Sequence, residues 1–310
     1  KTALGRNKCV KSDPTSATAG SSTSNSQTQA AAAQKPPKQE EKSFWCKADE
    51  LLKLGIDEIS EKDMVTGVRS LNVMDEKAAS DLGQELLNNA VEDARANNVR
   101  VFQPGNTEYQ RVKAISDRVI ASSHYRNNSA VTYAVIDYPS FGAFAYGGGT
   151  YVIYKGLMDE TNDAELAYVI AHEIAHSSAG HIHEKLALNW FKDKTGNKPP
   201  ENFSKSLTNT TEQEADKIAV IYTALAGYDP CASATIWEKR KTSINDLAWV
   251  RTHPANPRRA ATNRQWCATA KQYWVPGQVN PNAEKLLKCN ALYCNVSRDD
   301  MKSCSGGGVF

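Results

Sequence analysis

Apolar positions recur at helical spacing over much of the chain. From about residue 63 to 98, Val68, Leu71, Val73, Ala78, Leu82, Leu86, Leu87 and Val91 fit one helix face, and EYQRVKAISDRVIASS repeats the pattern. Two segments alternate instead. AVTYAVID and GTYVIYKGL read as strands separated by a glycine-rich link. TNDAELAYVIAHEIAH then opens with Asn162 and, three residues later, Glu165, the form of a capping box, so a helix starts there. TNTTEQEADKIAVIYTALAGYDP predicts another helix, capped by Asn209 or Thr210 and stopped by Gly227 and Pro230. CASATIWEKRK and NPRRAATNRQWCATAKQYW also read as helical. The pattern is α+β and mainly helical, with a small sheet beside the helix of residues 162–176.

Composition adds boundaries to this picture. Residues 10–43 are rich in Ser, Thr, Ala, Gln and Pro and offer little to bury, so 1–43 reads as a flexible tether. The expected body is 44–275, followed by a cysteine-containing extension, 276–310. A net charge of +2 gives no push toward nucleic acid or an anionic membrane. No apolar run reaches the ~18 residues needed to cross a bilayer. None of the seven cysteines has C-x-x-C spacing. Cys9 lies in the tether, and the other six suit up to three disulfides, which points to a periplasmic or other extracytoplasmic compartment.

Candidate chemistry concentrates in AHEIAHSSAGHIHE, residues 171–184. On a helix, His172 and His176 project about 40° apart and about 6 Å apart along the axis, so both imidazoles reach one ion. Glu173 lies about 100° round, placed to reach a water rather than the ion. That is the logic of H-E-x-x-H: two neutral nitrogen ligands and one proton-accepting carboxylate. His183 would fall about 10 Å beyond His176. His181 could return only through a sharp turn, and the metzincin pattern that does this needs Gly and His where Ala179 and Ile182 stand. Both therefore read as helix-end residues, and His124 as a surface residue. The third ligand is expected from EQEAD. Glu212 and Asp216 share a face and Glu214 points away, so one carboxylate can bind metal while the other orients a histidine.

At these residues the chain resembles the HtpX-like and CAAX-prenyl-endopeptidase-like zinc metallopeptidases, peptidase family M48, nearest to its soluble periplasmic BepA/LoiP-type members. The resemblance spans about residues 65–270 and rests on GAFAYGGGTYVIYKGLMDETNDAELAYVIAHEIAH, EQEADKIAVIYTALAGYDP and RTHPANPRRA. Gly142 stands where the family usually has Asn. The resemblance implies a zincin-like (gluzincin) fold with an edge strand over the zinc helix. It implies one Zn2+ per chain held by His172, His176 and Glu212, with Glu173 as general base and Asp216 as a supporting residue. His253 falls at the family's His-Pro site, facing the metal, to stabilise the tetrahedral intermediate or to fill the metal's open position at rest. Arg259 best fits the family's Arg spacing, with Arg258 left open.

The implied activity is zinc-dependent endopeptidase action on unfolded or misassembled envelope proteins. Substrate is expected as an added strand along residues 148–154. Outer-membrane or other envelope partners are expected, and nucleic acid is not. The rival from another class is a non-hydrolytic, zinc-stabilised binding protein. The intact Glu173 argues against it, because a purely structural metal site needs no base.

Overall fold

The computed structural model describes residues 60–62, 65, 69–71, 75–127, 131–183, 185, 201–239, 253 and 257–288, with only the backbone at some of these, all within the unit Glu58–Phe310. The tether lies outside the described residues. So does everything from Cys289 onward.

Asp75 begins the first long helix. Its carboxylate accepts from Ala78 N at 2.7 Å, and α1 runs Glu76–Ala96. The sequence pattern had placed this start near 63. Instead β1 (Ser60–Lys62) and β2 (Arg69–Leu71) pair antiparallel ahead of the cap. Helix α2 covers Thr107–Ala121. Three strands follow: β3 (Tyr133–Ile136), β4 (Ala143–Gly147) and β5 (Thr150–Tyr154). Strand β4 occupies what the sequence pattern read as a link.

The sheet order is β3-β5-β4, with β3 parallel and β4 antiparallel to β5. Strand β5 is therefore hydrogen-bonded on both sides. This corrects the expected substrate strand: residues 150–154 have no free edge to offer, and among the described residues the outer edge of β4 carries no strand. The pairing shifts register between Ala145 and Gly147. The two faces of the sheet divide the core. Val135, Tyr151, Ile153 and Ala143 join the main helical core, while Ala134, Ile136 and Val152 pack with Leu87 and Ala94 of α1.

Helices complete the body: α3 (Lys155–Glu160), α4 (Asp163–Ser178), α5 (Glu201–Leu225), α6 (Ala232–Lys239), α7 (Pro257–Ala270) and α8 (Ala283–Lys288). The capping box of α4 forms as expected. Asn162 Oδ1 accepts from Glu165 N at 2.9 Å, and Glu165 Oε2 accepts from Asn162 N at 3.1 Å. Every residue of α4 from Glu165 to Ser178 is buried, so this helix is a core element rather than a half-solvated one. Helix α5 begins before the expected caps, and Asn209 and Thr210 lie inside it. Its end is as expected: Gly227 takes φ +81°, and Tyr228 N donates to Thr223 O at 3.1 Å. Past residue 275 the chain stays with the body. Gly277 N bonds Gly227 O at 2.9 Å, Asn280 N bonds Leu225 O at 2.7 Å, and Ala283 and Leu287 join the core, so the body extends beyond the expected boundary. Cys231 and Cys267 stand at disulfide distance, S–S 2.19 Å, between the start of α6 and α7. The other five cysteines lie outside the described residues.

The β4–β5 turn packs closely on α1. A Cβ on Gly83 would collide with the Gly147 carbonyl oxygen, and one on Gly148, at φ +55°, with the backbone of Ser80. Ala usually stabilises a helix relative to Gly. At Gly83 the sign reverses: Gly83→Ala is expected to lower stability by about 1–3 kcal/mol and Tm by roughly 5 °C. Gly105→Ala, whose Cβ meets nothing within 4 Å, serves as the control in thermal melts.

His124 is half-buried rather than a surface residue, with Nδ1 2.7 Å from Tyr222 Oη. Burial pushes its pKa down to about 4. The unfolded chain takes up this proton near 6.5 and the folded chain only near 4, so stability is full above about 6.5, falls through that window and levels below it. The full loss is on the order of 3 kcal/mol. Urea melts at pH 7 and 4.5 are expected to show a smaller pH-dependent loss for His124→Gln than for the parent.

Candidate metal centre

Helices α4 and α5 pack against each other across the core, and the site lies between them. Helical spacing puts His172 and His176 on the side of α4 that faces α5, where Glu212 stands opposite. His253 approaches from outside both helices. One ligand atom from each of these four residues lies within 4.8 Å of every other. His172 Nε2 and His176 Nε2 are 3.0 Å apart. Glu212 places Oε2 3.4 Å from the first and Oε1 3.3 Å from the second. Glu173, one residue on from His172, is not in this group. Its Oε1 is 3.4 Å from His253 Nε2, on the flank of the cluster.

Asp216, one turn along α5 from Glu212, sits behind His172 with Oδ1 3.1 Å from Nδ1. Arg259 of α7 grips the same carboxylate, Nε to Oδ2 at 2.7 Å and Nη2 to Oδ1 at 2.6 Å, and brings Nη1 to 3.3 Å from Glu212 Oε2. The register between the two arginines is thus decided for Arg259, while the side chain of Arg258 lies outside the described residues. Three partners of Asp216 and Arg259 were not singled out from the sequence. Tyr168 donates to Asp216 Oδ1 at 2.6 Å, Asn263 Nδ2 donates to Oδ2 at 3.2 Å, and the Trp237 ring lies 3.9 Å under the Arg259 guanidinium. A signal existed for two of them: Tyr168 precedes His172 by four residues and Asn263 follows Arg259 by four, one helical turn each. Trp237 had none, because it arrives from a separate helix.

The electrostatics favour a cation. Among the described residues, Glu173, Glu212 and Asp216 are each no more than 2% exposed, against a single buried guanidinium. Three minus one leaves two negative charges when the imidazoles are neutral, costly in a dry interior. Both carboxylate oxygens of Glu173 and of Glu212 are buried without a hydrogen-bond partner. Burial alone would push these acids up. The surrounding imidazoles, His253 first among them, outweigh it and hold Glu173 below and Glu212 well below the usual range. Asp216 is held far down by Arg259 despite its burial. The two histidines part company. Burial lowers both, but the Asp216 and Glu212 carboxylates beside it bring His172 up to about 9, whereas His176 falls to about 3. Two imidazoles, a carboxylate and a third imidazole form the nitrogen-and-oxygen donor set that suits zinc better than the all-oxygen sets of calcium or magnesium. These residues could hold a metal.

His181 lies outside the group of four. It is nevertheless no loose helix end. Gly180, at φ +71°, turns the chain, and His181 is 1% exposed with Nδ1 3.0 Å from His176 Nδ1. His183 is buried too.

Comparison with known proteins agrees with this geometry. The family model of Peptidase family M48 matches residues 106–192 and 200–267. The chain is 30% identical over 142 residues to mitochondrial metalloendopeptidase OMA1 of Arabidopsis thaliana, covering 41% of this chain and 29% of that protein. It is 26% identical over 183 residues to metalloprotease LoiP of Escherichia coli, covering 51% of this chain and 70% of that one. To the beta-barrel assembly-enhancing protease of Yersinia pestis it is 28% identical over 178 residues, 48% of this chain and 35% of that protein. The match spans well under two thirds of the first and third of these relatives. With half of the chain matched by the family model, and with a buried His/His/Glu/His cluster at its centre, this protein belongs to peptidase family M48.

Proposed function

We propose that this chain is a zinc-dependent endopeptidase with a zincin-like (gluzincin) catalytic domain. The observation that carries the reading is the fully buried Glu173 carboxylate, whose oxygens take no hydrogen bond, beside a convergent group of metal-ligating atoms. His172, His176 and Glu212 are the proposed ligands of one Zn2+. When bound, zinc supplies Lewis acidity, polarising a carbonyl and bringing the pKa of water toward ~7. Glu173, held ionised, takes the proton of the attacking water and passes it to the leaving amine. His253, next to Glu173, donates to the charge that develops on the carbonyl oxygen, and in its present position stands as a fourth donor, a resting arrangement. Asp216, with Oδ1 3.1 Å from His172 Nδ1, is placed to fix that ring's tautomer, and Arg259 holds Asp216.

Substrate adds as a strand to the outer edge of β4, Ala143–Gly147, instead of along 148–154. The Phe144 ring lies 6.4 Å from the ring of His253, so that edge runs beside the cluster. Backbone pairing is indifferent to sequence, which suits unfolded or misassembled chains. An envelope role, in the periplasm or another extracytoplasmic compartment, draws support from the similarity to a beta-barrel assembly-enhancing protease and from the Cys231–Cys267 pair. No helix among the described residues is long and apolar enough to cross a membrane. A tether over 1–43 and an extension after about 288 complete the proposed organisation.

Unfolded casein is expected to be cleaved by the zinc-loaded protein, to be spared after chelation, and to be cleaved again once zinc is restored. Glu173→Gln is expected to lower kcat by about 10²–10⁴-fold with zinc content unchanged. Wild-type protein that carries zinc but leaves casein and other unfolded substrates intact would be the non-hydrolytic binding protein instead.

A further inference from the structure

His176 and His172 are not supported alike. An imidazole that gives its Nε2 lone pair to a metal carries its proton on Nδ1, and that proton needs an acceptor in a buried site. Beside His172 Nδ1 the facing group is the carboxylate of Asp216, with Oδ1 3.1 Å away. For His176 the group facing Nδ1 is another imidazole nitrogen, Nδ1 of His181 at 3.0 Å. It can accept only as a lone pair, so His181 must be the tautomer protonated on Nε2. That nitrogen is 3.4 Å from Glu214 Oε2. Each proton position therefore dictates the next along Glu214, His181 and His176.

We infer that His181, oriented by Glu214, is a positioning residue that holds His176 in the tautomer and ring orientation needed to ligate metal through Nε2. The inference rests on the ligand set proposed above. The local backbone supplies the geometry. Gly180 takes φ +71° after the C-terminal residues of α4, and beyond this break His181 lies against His176. The His176 and His181 rings meet with centroids 5.1 Å apart and planes at 73°, edge to face. On α5, Glu212 and Glu214 are two residues apart and so diverge, one to the cluster and the other round to His181. With an imidazole interposed, the charge of Glu214 stays about one ring further from the ion than that of Asp216. Glu214 can then remain partly open to solvent, 28% exposed against 1% for Asp216.

The test measures zinc affinity of the full chain by competition with a fluorescent chelator, with folding checked by circular dichroism and Tm recorded without metal. His181→Phe keeps a ring but removes the acceptor, and is expected to weaken zinc binding about 10–100-fold. His181→Gln restores an acceptor oxygen and is expected to recover most of that loss. Glu214→Ala, at a partly exposed position, is expected to weaken binding several-fold with the metal-free Tm unchanged, and carries the test if the His181 variants fail to fold. Zinc binding by folded His181→Phe or Glu214→Ala equal to wild type overturns the inference. So does equal weakening by Phe and Gln that merely follows a loss of Tm, which would mark a packing role. Wild-type protein that binds no zinc overturns the ligand set itself, and the relay with it.

Discussion

Charge burial between α4 and α5 is the constraint to which the rest of this structure answers. Three carboxylates and several imidazoles occupy a region with almost no solvent exposure. Ions removed from water are tolerated only when paired and hydrogen-bonded. The protein meets this in two layers. Toward the centre, His172, His176, Glu212 and His253 turn their atoms on one another, an arrangement that a divalent cation would satisfy. Away from the centre, Asp216 accepts from Arg259, Tyr168 and Asn263, so its charge is fixed, while the Glu173 and Glu212 oxygens take no hydrogen bond.

The scaffold follows from the same need. A helix that carries His172, Glu173 and His176 into a dry core must be apolar on its other faces, and α4 is buried from Glu165 onward. Its exposed start is secured by the Asn162–Glu165 capping box, and Lys239 adds an ion pair to Glu165. Helix α1 covers the opposite face of the sheet. The glycine-rich turn between β4 and β5 meets α1 at Gly83 with no room for a side chain. That close approach helps fix β4 as the outer strand beside His253.

Much of the chemistry was legible from spacing, because a helix converts sequence separation into direction. The pair His172 and His176 needed only the 3.6-residue period, and so did the shared face of Glu212 and Asp216. The role of His181 behind His176 was not legible in this way, because it depends on the path of the chain through Gly180. Strand β4 was taken for a link for a related reason: five residues with a register shift and flanking glycines leave too little alternation to detect.

By itself, then, the sequence determined the run of the long helices (though not the starts of α1 and α5), the capping box of α4 and the stop at Gly227, and it named candidate residues for metal chemistry. These properties are set within one element, by periodicity and backbone preference. Tertiary structure decided which edge of the sheet is open, which of two adjacent arginines meets Asp216, how far the body runs past residue 275 and what stands behind each histidine. Each of those depends on distances between segments far apart in the chain, and no local period encodes them.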